Sequence, residues 1–599
     1  MTDERRPAAS GTRFAQASLA MAGLMCVLPF LQPYHRFPLT SFYSEWLAFA
    51  LGLAAAALLL KKELWREMAL PAVALAPLAL ILLLGLQVAL ERVQYPEQAL
   101  TATLYLLWTA LLIVLAHALR RELGLPVVAE TLSWFVLAGG LLGALAGLLQ
   151  HYQFSTPLDF LVARKGSAAV HGNLGQPNHY AAYMTLALAS AIYLYGRGRL
   201  RGALAGACAA LLLLMLGLSG SRSPWLYLGA LTLLALMLHG WRGDTESRRL
   251  AEFALWLLPA FVVAQWAATL PFLTPEKGLL VTSAQRVFEM ASGIEARLQL
   301  WREAWGMFLA APALGSGWGK FAWHHFLYLA STGATAAPGV FNHAHNIVLQ
   351  LLAETGIAGA LLVVGAAIAW VTDLRNVKFD LEWWWLLALL AVMGIHSMLE
   401  FPLWYAYFLG LAALLLGLGA QRAITLRFAG AARLVAALVI LAGWVNLLAV
   451  LGPYRDFERL VFLPERRSSP QLEDTVFAES IARVHREPLL APYVELAVAY
   501  GITPSAERLQ EKLDLNARAM HFAPVDVVVY RQALLLALAG ERAAAVQQLE
   551  HSARVYPAEL DNTVSELGEL ARRRPGEFAP LLELAAAKSA ERRARGATR

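Results

Sequence analysis

Long apolar runs recur along the chain as far as Pro453, and short polar loops separate them. Apolar runs of about 20 residues are long enough to cross the roughly 30 Å hydrocarbon core of a bilayer as helices. We therefore predict an all-α polytopic membrane protein with about 12–13 transmembrane helices. The runs begin near Phe14, Tyr43, Met68, Ala99, Thr131, Pro177, Gly202, Pro224, Ala251, Asn346, Trp383, Leu403 and Leu434.

The loops between these runs alternate in charge. KKELWRE, LRREL, GRGRLR, WRGDTESRR, DLRNVKFD and QRAITLRFAGAAR are basic, whereas the intervening short loops hold few cations. The positive-inside rule assigns the basic set to the cytoplasm. We therefore expect the functional face on the outer side of the membrane. The predicted parts are a cytoplasmic tail over residues 1–13, a transmembrane domain over 14–452 with an outer loop over 273–345, and a helical domain over 453–599 on the same outer side.

The composition agrees with a membrane location. Hydrophobic residues make up 58% of the chain and the mean hydropathy is +0.52, values that exclude an ordinary soluble globular protein. The net charge of +6 lies mainly in the cytoplasmic loops, so we expect the lipid bilayer, and no nucleic acid, as a partner. Cys26 and Cys208 lie inside apolar runs and predict no disulfide framework.

Four polar segments fall on the same predicted outer face. They are HGNLGQPNHYAAY at 171–183, SGSRSPW at 219–225, the loop that ends at His345, and HSMLEFPLWYAY at 396–407. Polar groups at membrane depth are costly and mark functional sites by default. Their convergence predicts one pocket.

The first segment reads as a loop that enters a helix at Pro177. Its asparagines would then serve only to turn and cap the chain. Capping needs one such residue, however, and the polar face continues inward for another turn. Its candidate substrate-binding residues are Asn173, Gln176, Asn178, His179 and Tyr183.

Two arginines are candidate ligands for phosphate. Arg222 lies at a helix end, where it could simply extend to lipid headgroups or bind a phosphate through its planar guanidinium. Arg297 belongs to ARLQLWREAWGMF, whose apolar residues recur at the spacing of a helix that lies in the membrane interface. The nearby GSGWGKF at 315–321 is glycine-rich, so we expect it to be mobile and able to close over a substrate.

FNHAHNIVLQLLAETG at 341–356 carries the strongest chemistry. On a continuous helix His343, Asn346 and Gln350 would share one stripe with Glu354, while His345 would face elsewhere unless the helix begins only near it. Histidine is the usual positioned base near neutral pH, and Asn346 could orient it. The alternative is a polar helix entrance with two capping histidines.

His396 and Glu400 stand four residues apart in an otherwise apolar run. We expect them to pair with each other or with Arg222, either in catalysis or as a clamp between helices. Together with His343 and His345 they could also bind zinc. The chain has no HExxH pattern in its loops, so we predict no metal.

The order of the four segments resembles the O-antigen ligase and polymerase superfamily. GNLGQPNHYA, HAHNIVLQLLAETG and HSMLEFPLWYAYFL resemble its PglL-type branch, the bacterial protein O-oligosaccharyltransferases. The resemblance implies transfer of a preassembled glycan from undecaprenyl pyrophosphate, without a cofactor. It places the family's essential histidine on His345, with His343 as competitor, and its pyrophosphate arginines on Arg222 and Arg297.

The residues suit that chemistry. Arginines would stabilise the negative charge that grows on the leaving pyrophosphate. A Ser or Thr acceptor hydroxyl needs a base, for which His345 is the candidate and Glu400 a further catalytic residue. Direct attack would invert the anomeric centre, since no carboxylate pair for a double displacement appears on the outer face. Asn346 and His396 join the polar residues of the first segment as candidate substrate-binding residues.

After Pro453 the chain becomes charged and rich in alanine. The stretch from Asn516 to Leu560 resembles a tetratricopeptide-type helical hairpin around Gly540. Such repeats present surfaces to partners, so we expect this domain to dock a pilin-like acceptor protein in the periplasm. The alternative is a helical cap without a binding role.

Other functions remain open on the sequence alone. The acceptor could be the lipid A core, as for an O-antigen ligase, or another repeat unit, as for a polymerase. A transporter of lipid-linked oligosaccharides is the leading alternative that is not an enzyme, but transport favours polar residues near the midplane. A scaffold built on the helical tail is the third class.

Overall fold

A computed structural model describes residues 9–66, 69–154, 156–165, 169–270, 290–333, 339–425, 429–462, 484 and 486–597. The described residues are helical almost throughout, and their β structure is one pair of short strands. The predicted all-α polytopic membrane protein is confirmed. Residues 1–8 of the expected tail and 273–289 and 334–338 of the expected loop lie outside the described residues.

A helix begins close to every predicted position of the membrane region. Among the described residues, nine helical segments are long and apolar enough to span a membrane. The central helix α7 is more polar than these, and α8, α15 and α16 are apolar but shorter. The membrane helices are α1 Ala9–Met25, α2 Leu28–Leu31, α3 Phe42–Ala56, α4 Leu75–Ala89, α5 Pro96–Leu123, α6 Leu125–Tyr152, α7 Pro177–Gly196, α8 Gly202–Leu218, α9 Pro224–Arg242, α10 Thr245–Leu255, α11 Leu257–Ala267, α14 Ile347–Asp373, α15 Leu381–Ser397, α16 Ala406–Gly419 and α17 Ala429–Phe462; α12 Met290–Ala310 and α13 Phe321–Thr332 lie between α11 and α14.

The loops predicted to be basic meet at one end of the bundle. Arg197, after α7, lies 3.3 Å from Glu382 at the start of α15. Arg120 near the end of α5 donates to the Leu418 carbonyl of α16 over 2.7 Å. Two further loops of this set pair as antiparallel strands, β1 Ala69–Pro71 with β2 Ala423–Thr425. Contacts between distant loops thus support the alternation that the charges indicated.

Helix α7 occupies the middle of the bundle and contacts α6, α8 and α15. It is buried along nearly its whole length, although it contains hydroxyl groups. Thr185 and Ser190 donate to the carbonyls of Ala181 and Leu186 on their own helix, at 2.9 and 3.0 Å. Such bonds satisfy polar groups where no water is present. The helix is therefore a rigid core element that carries the segment 176–179 to the other end of the bundle.

Helix α14 is broken at Gly356, whose φ of 65° and ψ of −164° leave the helical region. The break frees backbone carbonyls, and the GSGWGKF segment fills the gap: the N–H groups of Ser316 and Gly317 donate to Ala353 and Glu354 over 2.9 and 3.1 Å. A Cβ on Gly315 would lie 2.3 Å from the Glu354 carbonyl carbon, so only glycine fits there. The glycines of this segment, which was expected to be mobile, permit close packing against α14.

The tail forms antiparallel helical pairs. The boundary expected at Pro453 lies inside α17, which continues to Phe462. The hairpin predicted around Gly540 is present, and Gly540 adopts a φ of 81° between α20 and α21. The tail helices are α18 Ala491–Tyr500, α19 Leu509–Phe522, α20 Asp526–Leu538, α21 Arg542–Val555, α22 Leu560–Arg573 and α23 Pro575–Ala597.

The tail packs on the end of the bundle opposite the basic loops. Phe326 of α13 is fully buried in the tail's own apolar core. Arg554 of α21 donates to the Ala330 carbonyl over 2.6 Å, and Tyr95, before α5, donates to Glu495 of α18 over 2.7 Å. The tail is thus joined to the loop that precedes α14.

Candidate functional site

Polar side chains from four separate segments meet at this end of the bundle, around the carboxylate of Glu400. Glu400 lies between α15 and α16 and its side chain is only 5% exposed. Asn178, in the first turn of α7, donates to Glu400 Oε1 over 2.6 Å and accepts from Ser221 Oγ over 2.7 Å. Arg297 of α12 lies 3.5 Å from the same oxygen. The predicted convergence of the four segments is therefore present in the structure.

His345 makes the remaining contact with this carboxylate. Its Nδ1 donates to Glu400 Oε2 over 2.9 Å, and its side chain is 18% exposed. Because Asn346 caps α14 by accepting from the N–H groups of Val348 and Leu349, the helix begins after His345. His345 itself has a φ of 52°. The chain turns there, and the ring points at Glu400 instead of along the helix.

The electrostatics of the pair favour the ionised carboxylate. Burial opposes ionisation of Glu400, but the hydrogen bond and charge of His345, followed by the charges of His179 and Arg297, outweigh it. The pKa of Glu400 consequently lies below its ordinary value. In the neutral imidazole, a proton on Nδ1 that is donated to this carboxylate leaves a lone pair on Nε2. Within the described residues Nε2 makes no hydrogen bond.

The two candidate arginines are placed differently. Arg297 is 34% exposed and reaches Glu400 with one terminal nitrogen. Arg222 is half-buried and follows Ser221, whose hydroxyl donates to Asn178. The segment that carries Arg222 is therefore tied to the carboxylate through Asn178.

His343 lies among aromatic rings. Its ring stacks on Phe401 at a centroid distance of 4.2 Å and meets Trp404 edge-on at 5.0 Å. Burial, followed by the charge of His345, lowers the pKa of His343 to about 3. This imidazole is therefore neutral at physiological pH. A narrow cavity, too small to hold a water molecule, lies between the two histidines and is lined by His343, His345, Asn346, Ile347, Gln350, Glu400, Phe401 and Trp404.

Of the two possibilities stated for α14, the structure has the one in which the helix begins only after His345. His343 precedes the helix, and the two remaining members of the stripe bind backbone groups. Gln350 accepts from the Ala344 N–H over 2.7 Å, and Glu354 accepts from the Phe321 N–H over 3.1 Å. They hold the ends of the loop in place. Asn346 serves as a helix cap, so it fixes His345 through the backbone rather than through its ring.

Some polar residues expected to bind substrate are instead occupied by the protein. Asn173 is 4% exposed and satisfies its amide with three backbone groups, those of Leu31, Leu161 and Ala163. Tyr183 is fully buried, donates to the Cys26 carbonyl over 2.8 Å and stacks on Phe30. Their contacts correct the expectation, because neither side chain can reach a ligand.

His179 and His396 form a second pair below the site. The Nδ1 of His179 and the Nε2 of His396 lie 2.8 Å apart, and both rings are buried. The Nδ1 of His396 lies 3.0 Å from the Tyr227 hydroxyl. Gln176 accepts from the backbone N–H of His179 over 2.5 Å and so caps α7. The capping role weighed for this segment is therefore filled by Gln176, and the histidines face inward.

One of the two pairings expected for His396 and Glu400 is not formed. Their side chains do not pair with each other, because His396 points to His179 and Glu400 points to His345. For the same reason the alternative zinc set does not gather at one point. Within the described ranges, no three His, Cys, Asp or Glu side chains lie close enough to hold a metal ion.

Sequence reasoning missed a buried pair beside the site. His325 Nε2 of α13 lies 3.2 Å from Glu303 Oε2 of α12, and both side chains are almost fully buried. The Phe341 N–H donates to His325 Nδ1 over 2.8 Å, four residues before His345. The signal was present, since Glu303 shares a helix face with the buried Leu300 and Ala304. The pair ties the two loop helices to the histidine segment.

Comparisons with known proteins agree with this geometry. Residues 207–364 match the O-antigen ligase family, residues 170–195 match the protein glycosylation ligase family, and residues 384–567 match the C-terminal part of the membrane-bound polymerase virulence factors. The matched ranges contain Arg222, Arg297, His345 and Glu400. The resemblance to the PglL-type branch is confirmed.

Two proteins of Acinetobacter baylyi are similar over long stretches. A general O-oligosaccharyltransferase is 28% identical over 403 residues, which cover 67% of this chain and 69% of the relative. A ComP-specific O-oligosaccharyltransferase is 22% identical over 254 residues, 42% of this chain and 44% of the relative. The similarity supports a glycosyltransferase activity for this multi-pass membrane protein.

Proposed function

We propose that this protein transfers a preassembled oligosaccharide en bloc from an undecaprenyl-pyrophosphate donor to a Ser or Thr hydroxyl of a periplasmic, pilin-like acceptor protein. The observation that carries the proposal is the His345–Glu400 pair beside two arginines at one end of a membrane bundle. The named activities of the Acinetobacter relatives support it. The charge of the loops supports a periplasmic site in a bacterial inner membrane.

Arg222 and Arg297 bind the donor pyrophosphate. A guanidinium donates several hydrogen bonds to phosphate oxygens and keeps its charge at any physiological pH. The exposed part of Arg297 is available to a ligand, while its contact with Glu400 holds the guanidinium beside the base. Negative charge on the bridging oxygen grows as the anomeric bond breaks, and these cations stabilise it.

His345 acts as the general base. The acceptor oxygen bonds to the anomeric carbon, its proton moves to His345 Nε2, and the bond from that carbon to the pyrophosphate oxygen breaks. Glu400 holds the ring and stabilises the imidazolium that forms, as a carboxylate does in a serine hydrolase triad. A single displacement inverts the anomeric centre. The cavity beside His345 is lined by one carboxylate, that of Glu400, which supports one displacement rather than two.

The proposed step uses no metal ion and no cofactor, as the resemblance implies. The tail docks the acceptor, a role supported by its packing against α13 at the same end of the bundle. Removal of residues 463–599 should then weaken selection among acceptors more than it weakens donor binding.

A second candidate follows from the family matches. The O-antigen ligase and polymerase matches favour transfer of a glycan to the lipid A core or to another repeat unit. One assay separates these acceptors. Purified protein receives a lipid-pyrophosphate glycan and either a pilin-like protein, a lipid A core acceptor or a second donor molecule. A mass shift of the pilin-like protein supports the proposal, and a product found only on lipid contradicts it.

A further inference from the structure

Four basic side chains meet at the junction of the bundle, the loop and the tail. Arg92 comes from the turn between α4 and α5, Lys320 and His324 from the first turns of α13, and His521 from α19 of the tail. Arg92 donates to the Gly315 carbonyl over 2.6 Å. The His521 ring lies 4.3 Å from that of Trp323. We call these four residues the basic cluster.

The two cations of the basic cluster, Arg92 and Lys320, form no ion pair among the described residues. All four side chains are half-buried. Among the described residues, no carboxylate forms an ion pair with Lys320, and neither Lys320 nor His324 makes a side-chain hydrogen bond. Burial, followed by the charge of Arg92, lowers the pKa of Lys320; burial, followed by Lys320, lowers that of His324. Cations held together in this way favour an anionic ligand.

Two parallel tryptophans connect the basic cluster to the catalytic cavity. Trp404, which lines the cavity beside His343, stacks on Trp318 with a centroid distance of 6.0 Å and an interplanar angle of 5°. Trp318 precedes Lys320 by two residues, and its backbone N–H donates to Gln87 Oε1 over 3.2 Å. We call Trp318 and Trp404 the tryptophan pair. The tryptophan pair is held by His343, which contacts Trp404, and by Gln87, which binds the backbone of Trp318.

The direction of the reaction separates the two substrates. In a single displacement the incoming oxygen attacks the face of the anomeric carbon opposite the leaving group. Arg297, which would bind the leaving pyrophosphate, contacts Glu400. Trp404 contacts His343 and lines the same narrow space as His345. We assign the approach of the acceptor to the tryptophan pair.

We propose that the basic cluster binds the carboxylate of an Asp or Glu residue that flanks the target hydroxyl in the acceptor polypeptide. The inference rests on the proposed function and names a feature of its acceptor. The tryptophan pair contacts the segment between that carboxylate and the hydroxyl, since Trp supplies a rigid, amphipathic contact surface. The contribution of His521 from the tail favours a polypeptide over the glycan, because the tail is the part assigned to the acceptor.

The test uses the full-length protein and a panel of matched acceptors. Each acceptor carries one Asp or, in its control, one Asn at the same position near the target residue. Binding is measured as Kd without donor, and transfer is measured as kcat and KM. We expect the wild-type protein to bind the best Asp acceptor about tenfold more tightly than its Asn control, as one charge-assisted contact allows.

Substitution of Lys320 should abolish this preference. K320Q should bind both acceptors as the wild type binds the Asn control, with unchanged kcat on the Asn acceptor, which shows that the variant is folded. K320E should prefer an acceptor with Lys at the same position. K378Q changes an exposed lysine at the opposite end of the bundle and should keep the full preference.

Several outcomes overturn the proposal. One is that the wild-type protein binds the Asp and Asn acceptors equally tightly throughout the panel. Another is that K320Q loses the same affinity for both acceptors. A K320Q penalty that follows the acidic or neutral character of the donor glycan would assign the basic cluster to the glycan. If the wild-type protein binds the Asp acceptor more tightly but glycosylates no acceptor, the proposed transfer is wrong and the carboxylate-binding role of the basic cluster is retained.

Discussion

The structure contains two histidine pairs close together, and they differ in what each histidine faces. His345 donates to an ionised carboxylate and keeps part of its ring exposed. His179 faces the ring of His396, and both are buried. The first arrangement can accept a proton from a substrate, because the carboxylate stabilises the imidazolium. Protonation of the second pair is unfavourable, since the buried positive charge would have no anion in direct contact.

The comparison shows that the residue type alone does not mark a catalytic group. Both pairs use histidines from polar segments at the same end of the bundle. The side chain that each histidine contacts, and its exposure to a substrate, decide its role. His179 and His396 fasten α7 to α15, and this fixes the start of α7, where Asn178 reaches Glu400. The buried pair therefore supports the exposed one.

The largest effect is expected from removal of the exposed imidazole. His345→Ala should lower kcat by about 10²–10⁴-fold, the usual contribution of a general base. Donor binding should persist, because the arginines remain. Quantitative mass spectrometry of the glycosylated acceptor gives the rate, and a lipid-pyrophosphate analogue gives the binding. Wild-type kcat in this variant would show that another group accepts the proton.

Glu400→Gln should lower kcat, but by no more than His345→Ala does, because it removes the orienting partner and leaves the imidazole in place. The pKa of Glu400 lies below its ordinary value, so the carboxylate is ionised at neutral pH and favours the protonated imidazole. Its removal disfavours that protonated form. The acidic limb of the profile of kcat/KM against pH should therefore move to lower pH in the variant. A limb that moves to higher pH contradicts this assignment.

His396→Phe should affect stability rather than chemistry. The change leaves His179 and the Tyr227 hydroxyl without their partner, which costs about 1–3 kcal/mol of the free energy of unfolding. Denaturant titration in detergent measures this loss. The kcat of the folded fraction should fall less than in His345→Ala. A large fall in kcat at wild-type stability would remove the distinction between the two pairs.

The smallest effect is expected at His343. Its imidazole is already neutral above about pH 3, so His343→Gln should leave the acidic limb of the pH profile where it is. Loss of the stacked ring beside Phe401 should change the acceptor KM by less than about tenfold. Steady-state kinetics over a range of pH measures both quantities. A displaced acidic limb would instead favour His343 as the base.

Much of the fold could be predicted from the sequence, because membrane helices and their alternation depend on local runs of residues and on loop charge. The same reasoning brought the four polar segments to one end. The sequence does not show which polar residues face the site and which bind other parts of the protein, since their partners are far away in the chain. Asn178 meets Glu400 across 222 positions, and His179 meets His396 across 217.

Local backbone geometry explains the remaining differences. The pattern of α14 suggested a helix through His343, but the cap at Asn346 starts the helix later and turns His345 toward Glu400. The glycines of residues 315–321 suggested a mobile segment, yet they allow close contact with the break at Gly356. The buried Glu303–His325 pair needs the positions of two loop helices, which periodicity does not provide.

A double-mutant cycle on kcat tests the central claim most directly. His345→Ala, Glu400→Gln and the double variant are compared with the wild type under saturating donor and acceptor. If Glu400 acts through the imidazole, the double variant is no slower than His345→Ala alone. Losses that multiply independently would contradict the account, because Glu400 would then contribute to transfer without His345.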